Sequence, residues 1–388
     1  MRRLTLEPRA GWVAKAESVG FLYHAGEGRP YWDESAAYAF SLREIEEDLE
    51  PAADALHDLC LDLVDEVVRD DALMARLAIP KKHRPFVADS WFAREPTLYG
   101  RFDFAYDGSG PPKLYEYNAD TPTSVFEAAV FQWMWLEDML ASGALPAGTD
   151  QFNSLNEALR DRFAAIFPDG GFVHFASDAG SVEDRQTVRF FEDLAAQVGV
   201  EPRYLTMAEI GLTADGRFVD DERDLLQAAF KLYPWEDMLR EPYAPDLPGA
   251  KVRWLEPPWK AILSNKGILP LLWERHPEHP NLLPAYFDND PAADQLGEAW
   301  VKKPLFSREG ADIEVHAPGV DEPVAPGGYG AEGAIRQAFH PPPTFDGVHP
   351  VVGVWMVGDQ PRGLGVREDD SLITKNLARF VPHVIEAG

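Results

Sequence analysis

Residues 99–123 read YGRFDFAYDGSGPPKLYEYNADTPT: two alternating runs around a turn-rich stretch, a pattern that commits the segment to an antiparallel hairpin. Asp107-Gly108 is a strong signal for the turn. Residues two apart on a strand share a face, so Arg101 lies beside Asp103 on the first run and Glu116 beside Asn118 on the second. Pairing Tyr106 with Lys113 across the loop would set Asp103 opposite Glu116 and Arg101 opposite Asn118. Two carboxylates facing each other on a ladder repel unless something positive lies between them. Two carboxylates and an amide oxygen, with no His or Cys among them, suit magnesium, which keeps some waters and takes further ligands from nucleotide phosphates. The same pattern also fits a solvated hairpin whose charges never converge.

The rest of the chain must supply a body for this hairpin. With 388 residues, 45% of them hydrophobic and 12% aromatic, it can bury a large core, divided into two or three lobes of one enzyme-sized unit. Lys and Arg number 36 against 65 Asp and Glu, a net charge of −29. That balance argues against nucleic acid and anionic membrane as partners and favours cationic or metal-bound ones, although solubility alone also accounts for it. Cys60, the one cysteine, excludes an intramolecular disulfide and a Cys-based zinc site, and reads as a small buried residue. The start, MRRLTLEPRAGW, has no apolar run long enough for a signal peptide, and no later window approaches a membrane span, so the cytoplasm is expected.

Apolar residues at helical spacing, among them Leu42, Ile45, Leu49, Leu56, Leu63 and Val67, predict helix over 34–78. After the hairpin, TPTSVFEAAVFQWMWLEDML reads as an apolar helix with Thr121 or Thr123 as N-cap and Pro122 at its start. Those threonines could equally help receive a substrate carboxylate. GFVHFAS, then a helix in SVEDRQTVRFFEDLAAQVGV, then a strand near Arg203–Met207 make a βαβ-like unit, whose ligands bind beyond the strand ends. Glu183 and Asp184 lie on the first turn of that helix, where they also complement its dipole.

Lysines and arginines stand in suggestive places in the last third. SNKGILPLLW puts Lys266 at a helix start, and AWVKKPLFSREGAD puts Lys303 after a short strand and ahead of a Ser-Arg-Glu-Gly loop. A lysine and a glycine-bearing loop can hold ATP phosphates, although GxxxxGK[ST] and GxGxxG are both absent. AIRQAF offers a backbone edge for adenine near Gln337. VVGVWMVGDQPRGLGVRE predicts a second hairpin that delivers Arg367 to a phosphoryl group. Each of these basic residues alone also fits a solvated surface.

RFDF, YEYNAD, EPPWK, SNKGILPLLW, VKKPLFSREGA and VREDDSL, in that order, resemble the synthetase domain of glutathionylspermidine synthase and the stand-alone acid–amine ligases similar to it. The resemblance runs from about Trp12 to His383. It implies an α/β fold of the ATP-grasp type with the permuted element order of eukaryotic glutathione synthetase, in which metal-bearing strands precede the ATP lysines. It also implies a single ligase unit over 1–388, with no room for the amidase domain of the bifunctional members. Its parts would be a helical lobe with the metal hairpin (1–160), an α/β substrate lobe (161–260), and a lysine and phosphate-loop lobe with the closing hairpin (261–388).

Carried over by position, the resemblance implies that Asp103, Glu116 and Asn118 hold Mg2+. Arg101, with Phe102 and Asp103, would touch the ATP phosphates, and Arg101 and Arg367 would steady the transition state. Lys266 and Lys303 match the ATP lysines, and Ser307, Arg308 and Gly310 the phosphate-covering loop. Gln337 and Ala338 fall where adenine is read, and Leu372, Ile373 and Thr374 lie along the nucleotide. Thr121, Thr123, Glu183 and Asp184 match substrate positions. Arg379 stands where the family has an acidic polyamine-binding residue, and Leu232 where it has a threonine of the thiol-peptide pocket; these departures leave the machinery for ATP intact and the identity of the substrates open. The implied reaction joins a small carboxylic acid, a glutathione-like peptide being one candidate, to an amine through an acyl phosphate. An ATP-dependent phosphotransferase and a noncatalytic ATP sensor or scaffold remain alternatives; oligomeric state is not legible.

Overall fold

A computed structural model describes residues 1–26 and 28–387. Two antiparallel sheets and one parallel sheet position the features of interest. The five-stranded antiparallel sheet runs, edge to edge, Arg379–Val381, Gln360–Asp369, His349–Val357, Tyr99–Ala105 and Lys113–Asn118. The expected hairpin is therefore its edge pair, and the closing hairpin of the last third completes it. Segments 1–160 and 261–388 are thus joined in one sheet rather than folded apart.

The hairpin register agrees with expectation at its chemistry and departs at its turn. Arg101 pairs with Asn118 and Asp103 with Glu116, but Phe104 pairs with Leu114 and Ala105 with Lys113. Tyr106 therefore does not pair with Lys113; Tyr115 is one extra residue, and the resulting bulge absorbs the shift. Alternation sends Phe102, Phe104 and Tyr117 to the opposite face. There they join a core with Leu56, Cys60, Leu63 and Val64 of the helix Glu50–Val67.

A second antiparallel sheet, of four strands, runs Ala285–Phe287, Ala334–Ala338, Trp300–Pro304 and Glu314–His316. The parallel sheet runs Arg253–Leu255, Ala228–Leu232, Gly171–Ser177 and Val200–Thr206, with helix Val182–Gln197 as the βαβ crossover. Its last strand begins before the expected Arg203. The helical reading of 34–78 fails at its start, where Ala36–Phe40 is a wholly buried strand between Arg2–Thr5 and His383–Ile385. A short buried apolar run looks the same in either state. The helix after the hairpin begins at Val125, behind Ser124 at φ 71°, so neither Thr121 nor Thr123 caps it. Among the described residues, no helix is long and apolar enough to cross a membrane.

Candidate active site

The two antiparallel sheets and the end of the parallel sheet enclose a cavity of about 420 Å³, lined from all three. Arg101, Asp103, Glu116 and Asn118 face it from one side, and Lys266, Lys303, Gln337 and Ala338 from the other. Ser307, Arg308, Gly310, Arg367, Leu372, Ile373 and Thr374 line it as well, with Thr121, Thr123 and Asp184 toward the parallel sheet. Phe102 does not: it is fully buried and stacks on Tyr117 with ring centroids 3.8 Å apart, so its side chain belongs to the core. Glu183 lines a smaller neighbouring cavity that shares Thr123, Asp184 and Glu309 with the first.

The opposed carboxylates are held by charge and hydrogen bonds. Arg101 donates from Nε to Asp103 Oδ1 at 2.6 Å and from Nη2 to Oδ2 at 2.9 Å, while Nη1 reaches the Thr123 carbonyl at 2.9 Å. Lys266 Nζ is 2.8 Å from Glu116 Oε2 and donates to the Ser307 carbonyl at 2.6 Å. The Asn118 amide lies between the acids, donating to Asp103 Oδ2 at 2.9 Å and to Glu116 Oε1 at 3.0 Å. Burial works to raise the Glu116 carboxyl, but Lys266, Lys303 and the Asn118 bond outweigh it and bring it down to about 2.

This donor set fits a hard divalent cation. Asp103 and Glu116 offer charged oxygens across one ladder position, and Asn118 already spans them; turned over, its amide would present oxygen in place of nitrogen. No group of three or more His, Cys, Asp or Glu side chains converges among the described residues, so the remaining ligands of such an ion would be water and phosphate oxygens.

The basic groups opposite are underemployed. Lys303, 7% exposed, donates to the Tyr115 carbonyl at 3.0 Å and to Gln337 Oε1 at 2.7 Å, and forms no ion pair among the described residues. Burial, only partly offset by Glu116, lowers its ammonium to about 8. Tyr115 is the bulge residue, so the irregularity that shifts the hairpin also presents a carbonyl to this lysine. Arg367 rests on the carbonyls of Lys375, Asn376 and Ala378 at 2.8–3.1 Å, and its Nε is buried without a partner. Arg308 ties the Ser307–Gly310 loop across the cavity, to Thr121 Oγ1 at 2.8 Å and Glu236 Oε1 at 2.6 Å. A Cβ on Gly310, at φ 72°, would sit 2.6 Å from Ile373 Cγ2 and 2.8 Å from the Thr374 carbonyl, so this glycine lets the loop close onto 372–374.

Several participants escape a reading by motif. Gly353 and Gly365 lie opposite each other in the sheet and line the cavity; a Cβ on Gly353 would meet Arg101 Cδ at 2.8 Å. Trp355 lies under the Arg101 guanidinium, 5.2 Å from ring centroid to Cζ. Glycines inside an alternating strand are the signal that could have found this floor. Toward the parallel sheet, burial and the neighbouring Glu183 raise the Asp184 carboxyl to about 6. Leu232 lines the cavity; Arg379 does not, being bound to Glu368 Oε1 at 3.2 Å and Asp370 Oδ1 at 3.0 Å.

Comparison with known proteins gives this geometry a lineage. The family model of the glutathionylspermidine synthase preATP-grasp region matches residues 3–386. A Haemophilus influenzae protein named "Putative acid--amine ligase" is 38% identical over 99% of both chains. Trypanothione synthetase of Crithidia fasciculata is 30% identical over 82% of this chain and 52% of its own. The bifunctional glutathionylspermidine synthetase/amidase of Escherichia coli is 28% identical over 96% of this chain and 63% of its own. The chain thus spans about half to two thirds of those two longer relatives. In fold it is similar to a glutathione-synthetase-like effector of Globodera pallida, with a TM-score of 0.51 at 9% identity over 89% of this chain and 88% of that one.

Proposed function

Because the chain belongs to the glutathionylspermidine synthase family, whose model it matches from residue 3 to residue 386, we propose that it is an ATP-dependent ligase that joins a small carboxylic acid to an amine with release of ADP and phosphate. One observation carries the reading: Lys303 and Arg367, neither ion-paired among the described residues, face the same cavity as two carboxylates poised opposite each other. A polyanion carrying a divalent cation satisfies both halves of that cavity at once.

In this reading Asp103, Glu116 and Asn118 hold magnesium, which when bound neutralises phosphate charge. Lys266 and Lys303 take phosphate oxygens, Ser307, Arg308 and Gly310 close the loop over them, and Gln337, Ala338 and 372–374 enclose the nucleoside. Arg101 and Arg367 are placed for the charge that develops as the acid's carboxylate attacks the γ-phosphate and ADP leaves. The amine then attacks the acyl carbon, a tetrahedral intermediate forms, and phosphate departs. Thr121 and Thr123 would hold the acid, possible peptides included, once Arg308 exchanges its bond to Thr121 for a phosphate. The amine must shed a proton to attack. Asp184, which borders both cavities and whose carboxyl lies at about 6, suits that task better than Glu183.

D103A and E116A test the assignment. Each should lower ATP turnover by about a hundredfold or more, on the scale of losing one preorganised charge contact, with the fold retained but the thermal transition lowered, since each leaves Arg101 or Lys266 without its carboxylate. Near-normal turnover in both variants would contradict the metal assignment.

A further inference from the structure

Behind the hairpin, out of reach of the cavity, lie four charged side chains, each no more than 1% exposed: Asp120, Lys231, Glu256 and Lys260. Glu256 accepts the backbone N–H groups of Leu98 and Tyr99 at 2.9 and 3.0 Å, immediately before the strand residues that carry Arg101 and Asp103. Lys260 donates to the carbonyls of Tyr99 at 3.1 Å and Ala119 at 3.0 Å, so one ammonium ties the start of the first strand to the end of the second. Asp120 accepts Lys231 Nζ at 2.6 Å and the Trp235 N–H at 2.8 Å, and Trp235 Nε1 returns to the Glu256 carbonyl at 3.0 Å. Lys231 lies on a strand of the parallel sheet and Glu256 just beyond the end of another.

Charge is a poor choice for filling a core, since apolar residues of like volume commonly stabilise a buried site as well or better. What ion pairs add is direction, because each bond fixes a distance and an angle. Here the fixed points are the two residues after Asn118 and the two before Gly100, that is, both ends of the segment bearing Asp103, Glu116 and Asn118. The same stretch of chain reaches the phosphate loop, since Glu236 follows Trp235 and holds Arg308.

We propose that Asp120 with Lys231, and Glu256 with Lys260, are positioning residues: they lock the carboxylate hairpin to the parallel sheet and so set the magnesium-binding geometry relative to the substrate side of the cavity. The proposal rests on the ligase reading above for its chemistry. Its test does not.

The test compares wild type with an apolar pair, D120L/K231M, a neutral hydrogen-bonding pair, D120N/K231Q, and E256Q. ATP binding is titrated with and without magnesium, alongside thermal unfolding and, where turnover exists, kcat and KM. The apolar pair should bind magnesium-free ATP within about twofold of wild type but lose most of the strengthening that magnesium gives, with kcat down about tenfold or more, the KM for Mg-ATP raised, and the KM for acid and amine little moved. The neutral pair should recover most of both losses, which a purely structural role would not produce. If the apolar pair fails to fold, E256Q carries the test: it turns one of the two oxygens that accept from Thr97, Leu98 and Tyr99 into a donor and leaves Lys260 without its counter-charge, so the same loss of magnesium response is expected. A wild-type magnesium response and kcat in the folded variants would overturn the proposal, as would a wild-type protein whose ATP affinity ignores magnesium. Failure of wild type to join any acid and amine would instead sink the ligase reading and leave the binding comparison intact.

Discussion

Lys303 is the residue where burial and chemistry meet most directly. Its ammonium lies at about 8 because burial disfavours the charge and no carboxylate bonds to it among the described residues. That value lies below the unfolded-chain pKa, so the unfolded state holds the proton more tightly, and this group's contribution to stability rises with pH between about 8 and 10.4. Phosphates reverse the preference. Bound ATP favours the charged form, so affinity should be flat below pH 8 and fall by up to about tenfold per unit above it. K303M should weaken ATP binding by tenfold or more and remove that slope, as read by titration from pH 7 to 9.5; an unchanged slope would exclude Lys303 from the phosphate site. Glu116 is depressed as well, so its slope runs the same way at lower pH: held at about 2, it lends stability that is present above about 4.5 and lost as pH falls toward 2.

At the scale of elements, the five-stranded sheet is a platform whose two faces do different work. Phe102, Phe104 and Tyr117 bury one face, and Arg101, Asp103, Glu116 and Asn118 dress the other. The absence of a side chain at Gly353 gives Arg101 room to lie on the sheet. G353A places a Cβ 2.8 Å from Cδ of an arginine held by three hydrogen bonds, so Arg101 must shift and loosen its hold on Asp103. Turnover should drop roughly tenfold while the unfolding temperature moves by no more than a few degrees; wild-type turnover would show that Arg101 does not need its observed place. The carboxylate register was legible in the sequence because alternation is strict there. The bulge at Tyr115 was not, since no glycine or proline marks it and the extra residue costs the alternation nothing that a reader can see. Ala36–Phe40 was misread as helix because every one of its side chains is buried, which erases the period that separates strand from helix. The cleft side of the hairpin was predictable from residue types, whereas Phe102 was expected at the nucleotide because of its neighbours, and its side chain faces the core.

For the whole molecule, the cavity exists only because segments far apart in sequence converge: a hairpin near residue 110, a parallel sheet from the middle, and lysines and a closing hairpin from the last third. The order of these parts was readable from motifs, but their convergence was not, because it depends on one strand, Tyr99–Ala105, pairing with another, His349–Val357, across most of the chain. A ligand that bridges the parts should stabilise them together. Mg-ATP at a hundredfold excess over its Kd contributes about 2.7 kcal/mol, which for a chain of this size raises the unfolding temperature by about 3 °C; separate melting of one lobe with no response to nucleotide would contradict a shared site. The most direct test of the whole account is phosphate release from Mg-ATP, with pooled carboxylic acids and amines including glutathione and spermidine, and products followed by mass. ADP and phosphate released in step with a new amide are the predicted result. A phosphorylated product that accumulates without an amide, or tight nucleotide binding that no acid and amine can turn over, would contradict it.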